Sequence, residues 1–274
     1  MKRRRALRRV GQAVAAACAI VTLGAVQAAA PTAASNVPPE PTPRLADGTV
    51  DLGGDGIWSL PYVTNLSKRV IDQKTGQPAP DAIPYLPWTK AMNAYSTKTR
   101  NAYDPQGLCL PPGIPRAFGT PYPAQFIQQP KRIIVIFEGG AHVWREIFMD
   151  GRAHPKDPTP TYMGHSVGKW EGDTLVVDTV GFNERTYLMF DGYFHTDKLH
   201  TVERITRPSK GTLRYEVTID DPAAYERPWT AAWDIRWTAG EHLTEYICQD
   251  DNQYMVDLKD DFGQPFLKPT EAGE

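Results

Sequence analysis

The 274-residue chain has few cysteines, no apolar run long enough for a bilayer and no excess of positive charge. The uncharged, alanine-rich stretch 13–26 comes nearest to a membrane span, but its 14 residues fall well short of the roughly 20 a helix needs to cross. Lys2, Arg3, Arg4, Arg5, Arg8 and Arg9 precede it and Val26-Gln27-Ala28-Ala29-Ala30 follows. A basic head, a short apolar centre and small residues at a cleavage point describe a secretory signal peptide over residues 1–30. Arg8-Arg9 leaves a twin-arginine route open beside the general one. Cleavage takes six of 30 basic residues and none of 32 acidic ones, leaving 24 against 32 and a formal charge of −8. That balance excludes a nucleic-acid binder and disfavours an anionic membrane surface, so no membrane insertion is expected after cleavage.

Of three cysteines only Cys109 and Cys248 survive the cleavage. In an exported protein they are expected to pair, and the long loop so closed would contribute up to about 4 to 5 kcal/mol in the chain-entropy account. A catalytic thiol is the alternative, but neither cysteine has a histidine or helix start beside it. Also missing are an internal repeat, a nucleotide-binding glycine motif, a Gly-x-Ser-x-Gly elbow, a His-Glu-x-x-His pair and any paired-cysteine metal spacing.

What the chain has in quantity is proline early and β-forming residues late. Residues 31–43 hold five prolines and read as an extended linker. Residues 44–130 hold twelve more, too many for a regular sheet. That segment is expected to wrap the later sheet as ordered coil. It carries one helix opened by Pro87, with Trp88, Ala91, Met92 and Tyr95 at helical spacing. From 131 to 258 apolar, β-branched runs alternate with turns, and 259–274 is a tail. The runs are 132–138, 142–149, the two arms of a hairpin about Glu171-Gly172-Asp173, then 199–207, 213–220, 229–237 and 243–248. Eight sequential strands predict a mainly β fold, an antiparallel meander closing into a barrel or half-barrel with room for one small ligand.

Several strings carry a family resemblance. Met163-Gly164-His165-Ser166-Val167-Gly168-Lys169-Trp170-Glu171-Gly172-Asp173-Thr174-Leu175-Val176-Val177-Asp178-Thr179 is joined by Asp47-Gly48 with Asp51-Leu52, Cys109-Leu110-Pro111-Pro112-Gly113, Asp150-Gly151-Arg152 with His154-Pro155, and Thr218-Ile219-Asp220-Asp221-Pro222. Together they resemble a large family of exported bacterial proteins, mostly of unassigned function, and the resemblance implies export without naming an activity. Asp250-Asp251-Asn252 departs from the family, which tends to have Glu and Gly before that Asn. Gly56-Ile57-Trp58 bears a looser likeness to lipocalin-like barrels, and the same spacing recurs at Gly168-Lys169-Trp170.

Candidate chemistry gathers in the central hairpin and the strand after it. Four of six histidines, His154, His165, His195 and His200, lie there, with Asp178, Asp197 and Glu203 as possible partners. A histidine beside a carboxylate can take and return a proton near neutral pH. The catalytic expectation is His165, His200 and Glu203, with Asp178 orienting a histidine. Arg145 or Arg204 would hold an anionic group, and Tyr162, Asn183, His195 and Trp229 would complete the binding surface. Such residues more often cap turns and bridge strands. A metal held by His154, His165 and His200 is a minor alternative; no metal or cofactor is expected. Trp229, Trp233 and Trp237 share a strand face, and Trp144 and Trp170 lie in the same meander. Such a stripe could stack a ligand but more often forms core. The leading expectation is a periplasmic, cofactor-independent lyase, isomerase or hydrolase acting on a small organic substrate in a barrel pocket. A carrier of an apolar or aromatic molecule is the alternative.

Overall fold

The computed structural model describes residues 39–250 and Asn252. The expected signal peptide, most of the linker and the C-terminal tail lie outside them. Among the described residues there are ten strands: β1 (Gly56–Ser59), β2 (Val70–Ile71), β3 (Ala124–Gln129), β4 (Arg132–Phe137), β5 (Trp144–Phe148), β6 (His165–Glu171), β7 (Thr174–Val180), β8 (His200–Ser209), β9 (Thr212–Asp220) and β10 (Trp229–Ala239). They form one sheet in the order β1-β3-β4-β5-β6-β7-β8-β9-β10, and β10 pairs back onto β1 from Gly56↔Ala239 to Ser59↔Arg236. The mainly β barrel is therefore closed, with nine staves. The short β2 lies outside the ring, against the first half of β10 at Thr230↔Ile71 and Ala231↔Val70.

Two staves come from the segment expected only to wrap. β1 and β3 occupy windows without proline, bounded by Pro61 on one side and by Pro123 and Pro130 on the other; between prolines the backbone keeps its ladder donors. The strand expected at 243–248 does not form. Its place beside β10 is taken by β1, and the segment crosses to the N-terminal half instead. There Thr244 N–H donates to Glu138 Oε2 at 2.6 Å and Cys248 is disulfide-bonded to Cys109, with Cα atoms 5.6 Å apart. Helix α1 (Pro87–Lys98) begins at Pro87 as its spacing predicts. Between the runs 132–138 and 142–149, Gly139-Gly140 opens a single helical turn, α2 (Gly139–His142).

β5 and β6 break the meander. They run parallel and pair only at Ile147↔Ser166 and Phe148↔Val167, because residues 149–164 carry the chain back along the barrel before β6 starts. All other neighbouring pairs are antiparallel.

The barrel interior is filled by side chains. Ile133, Val135 and Phe137 of β4, Leu175 and Val177 of β7, Leu213, Tyr215, Val217 and Ile219 of β9, and Trp229, Ala231, Trp233 and Ile235 of β10 belong to one buried cluster. Each large apolar side chain buried this way contributes about 1.5 to 3 kcal/mol. The 3₁₀ turn Arg116–Gly119 inserts Phe118 as a plug. Its ring lies 4.5 Å from Tyr215 and 5.1 Å from Phe137, and its carbonyl accepts the Trp233 indole N–H at 3.0 Å. The expected ligand room inside the ring is thus occupied by core, and Trp229, expected on a binding surface, is 2% exposed. Two buried polar atoms, Thr201 Oγ1 and Trp229 Nε1, have no hydrogen-bond partner among the described residues.

Candidate functional site

Pairing around Asp178 builds an acid–base cluster on the outer face of the barrel. Asp178 stands opposite Val167 of β6 and Val202 of β8, so His165 and His200, two positions along from those partners, are its diagonal neighbours on the same face. Diagonal pairs lie within reach of long side chains. Both Asp178 oxygens are 3.1 Å from His200 Nε2. The loop 149–164 lays His154 over the pair, with Nε2 3.0 Å from Asp178 Oδ1 and Nδ1 2.8 Å from Nδ1 of His165. The His165 ring also stacks on Phe148, centroids 5.2 Å apart.

These contacts assign the tautomers. Asp178 as a carboxylate only accepts, so His154 donates to it from Nε2–H. A neutral His154 then has a lone pair on Nδ1, which accepts Nδ1–H of His165. The remaining nitrogen of His165, Nε2, is left as a free base. Partial burial first, with the Arg152 charge beside it, holds the His165 imidazole below its ordinary value of 6.5, so it is neutral at physiological pH.

His165 forms part of the wall of a cleft of about 610 Å³. Trp144, Phe148, Tyr162, Met163 and three prolines, Pro111, Pro155 and Pro158, supply most of its apolar lining, with Arg145, Glu146 and Ser166 among the polar residues there. The cleft opens where β5 and β6 splay beyond their two paired positions. Trp144, at 59% exposure, presents an indole to solvent there. No family model, characterised protein or solved structure matches this chain. The site's chemistry therefore rests on its own geometry.

The expected catalytic set separates into two places. His165, Asp178 and His200 share the outer face, whereas Glu203 points into the barrel and is fully buried. Positions 200 and 203 differ by an odd number along one strand, so they face opposite sides. Glu203 cannot act on the substrate side of His200. It instead takes both guanidinium arms of Arg145, Nη1 at 2.9 Å and Nη2 closer still, and accepts the Tyr215 hydroxyl at 2.8 Å. Arg145 also donates from Nε to Ser166 Oγ and from Nη2 to Thr179 Oγ1, at 3.0 and 2.8 Å. Four of its five N–H groups are thus taken inside the protein and its side chain is 1% exposed, so this arginine, although it borders the cleft, chiefly holds the core together. Burial, followed by the Glu203 charge, raises the Tyr215 phenol well above its usual value.

Arg204 lies on the outer surface, paired with Glu171 at 2.9 Å. Asn183 accepts Arg185 N–H in a turn. His195 is buried between Thr186 Oγ1 and the Thr196 carbonyl, at 2.8 and 3.0 Å, and burial lowers its pKa from 6.5. Asp197 pairs with Lys198. None of these four joins the cleft, while Tyr162 does. Among the described residues no group of three or more His, Cys, Asp or Glu is placed to hold a metal ion; the imidazoles of His154, His165 and His200 turn to one another and to Asp178. Phe148 and the bridging role of His154 are what sequence reasoning missed, whereas Trp144 was among the tryptophans weighed as a ligand stack. The one signal for His154 was its place in the Asp150-Gly151-Arg152 and His154-Pro155 string, since nothing in the spacing says that this loop folds back over β7.

Proposed function

We propose that this protein is an exported enzyme that moves protons on a small, largely apolar organic substrate seated against Trp144 and Phe148. His165 Nε2 is the general base. It takes a proton from substrate carbon, oxygen or an attacking water, while Nδ1–H shares the gained charge with His154 and, through it, with Asp178. The proton returns to a different substrate atom in an isomerisation or to a leaving group in an elimination or hydrolysis. Side chains alone supply such proton transfer, so the reading calls on no cofactor. A positioned base of this kind contributes about 10² to 10⁴ in rate.

The observation that carries the reading is the 2.8 Å contact between His165 and His154, with Asp178 beyond, at the wall of an open cleft. A periplasmic location is supported by the amino-terminal signal pattern and by the Cys109–Cys248 disulfide. Among the described residues, no helix is long and apolar enough to cross a membrane. The test is to incubate the mature protein with pooled small metabolites from its own envelope and follow substrate loss by NMR. Loss that disappears with His165→Gln supports the proposal; turnover unchanged in that variant ends it.

A further inference from the structure

A second cleft lies above the plugged end of the barrel, away from His165. It encloses about 370 Å³, near the lower limit for small-molecule sites. Its floor is the 3₁₀ turn that carries Phe118. There Arg116 is paired with Asp104 through two bonds of 2.7 and 2.5 Å, the side chains 4% and 8% exposed. The two charges offset each other, so the floor is close to neutral.

The walls are aromatic. Tyr62 and Phe190 meet edge to face, centroids 5.5 Å apart, on one side. Tyr122 and Tyr246 meet at 4.6 Å on the other, their hydroxyls 3.3 Å apart. Tyr62 is 51% and Phe190 37% exposed, which is costly for large rings unless something covers them. The rim carries Arg100, in the left-handed region at φ 52°. It lines the cleft with no carboxylate within ion-pair distance among the described residues. The disulfide fixes two of these walls together, since Gln106 and Gly107 precede Cys109 and Tyr246 precedes Cys248.

We propose that this cleft binds an aromatic carboxylate of one or two rings, the ring between the two aromatic pairs and the carboxylate on Arg100. Rings favour offset and edge contacts with other rings, and an arginine fork matches a carboxylate. A neutral ring compound would forgo Arg100, and an aliphatic acid would forgo the walls. The volume is ample for two fused rings.

Calorimetry with 1-naphthoate tests this on the mature, oxidised protein, with 1-naphthalenemethanol and cyclohexanecarboxylate as comparisons. Saturable 1:1 binding of 1-naphthoate is expected, at least roughly tenfold tighter than either comparison. Arg100→Gln should remove the preference for naphthoate over the alcohol, and Tyr62→Ala should weaken both. Both side chains are exposed, so neither change threatens the fold. His165→Gln should leave binding intact, which separates this cleft from the proposed catalytic one. No saturable binding overturns the proposal. Binding that survives Tyr62→Ala and Arg100→Gln but is lost in His165→Gln does so too.

Discussion

Nδ1 of His154 and Nδ1 of His165 lie 2.8 Å apart, and two ring nitrogens at that distance share one proton. The shared proton sits on His165 only while His154 spends its other N–H on Asp178. His165 in the native protein is therefore expected as the Nδ1–H tautomer, read from imidazole ¹⁵N shifts. Asp178→Ala removes the acceptor that sets this order and should produce a mixture of tautomers. Once a substrate is known, the same change should cost about 10²-fold or more in kcat. A single unchanged tautomer in Asp178→Ala would refute the relay.

The depressed His165 pKa makes a prediction for pH. A base must be unprotonated, so kcat/KM should rise with pH to a plateau, with its midpoint below 6.5, the ordinary histidine value. Histidine Cε1–H titration by NMR gives the same midpoint without any substrate. A midpoint above 6.5 would contradict the burial and like-charge environment described.

His195 gives a separate dependence, on stability. Its folded pKa is lowered from 6.5 by burial, so between the folded value and 6.5 the unfolded chain binds more protons than the native one. Stability then rises with pH through that window. Above it the cost is absent; below it the cost is fully present. Denaturant midpoints measured from pH 7 downward should fall, and His195→Gln should flatten the fall. An equally steep decline in the variant would place its origin elsewhere.

Arg145 and Glu203 are predicted to matter for folding and not for chemistry. Breaking a buried pair leaves an uncompensated charge, so Glu203→Ala should cost about 3 to 5 kcal/mol in urea denaturation. Replacing both, Arg145→Met with Glu203→Leu, should cost much less than that. If the double change is as damaging as the single one, the pair does more than neutralise its own charges.

Thr201→Val keeps the branched shape that suits a strand and removes a buried hydroxyl with no partner. Stability should rise by about 1 kcal/mol, seen as a higher urea midpoint at unchanged slope. A loss instead would mean that an internal water satisfies Thr201.

Much of the β architecture was legible because period-2 alternation and turn residues are local signals. The hairpin turns at Gly172-Asp173, where Glu171 faces Thr174, and β8, β9 and β10 fall within a few residues of their apolar runs. The proline-rich half was harder, because proline density argues against a sheet on average yet says nothing of the short gaps that form β1 and β3. The parallel meeting of β5 and β6 depends on where a loop returns, which no local pattern records. Of the site, the histidines and Asp178 could be singled out by residue type. Glu203 was grouped with His200 although the alternation along β8 already sets them on opposite faces. The aromatic wall of the cleft was half legible: Trp144 stood out as a ring that could stack a ligand, while Phe148 resembles any strand residue until its neighbour splays away.

The seam between β1 and β10 also bears on how the chain reaches its native state. Gly56 waits for Ala239, so every shorter piece of the chain is an open sheet with unpaired backbone at both margins. Loop-closure entropy makes such a contact slow to form, and an open margin invites a neighbouring chain. Truncation anywhere before β10 should therefore yield aggregates rather than a smaller folded core, and during synthesis the chain would need shielding until its last stave has arrived.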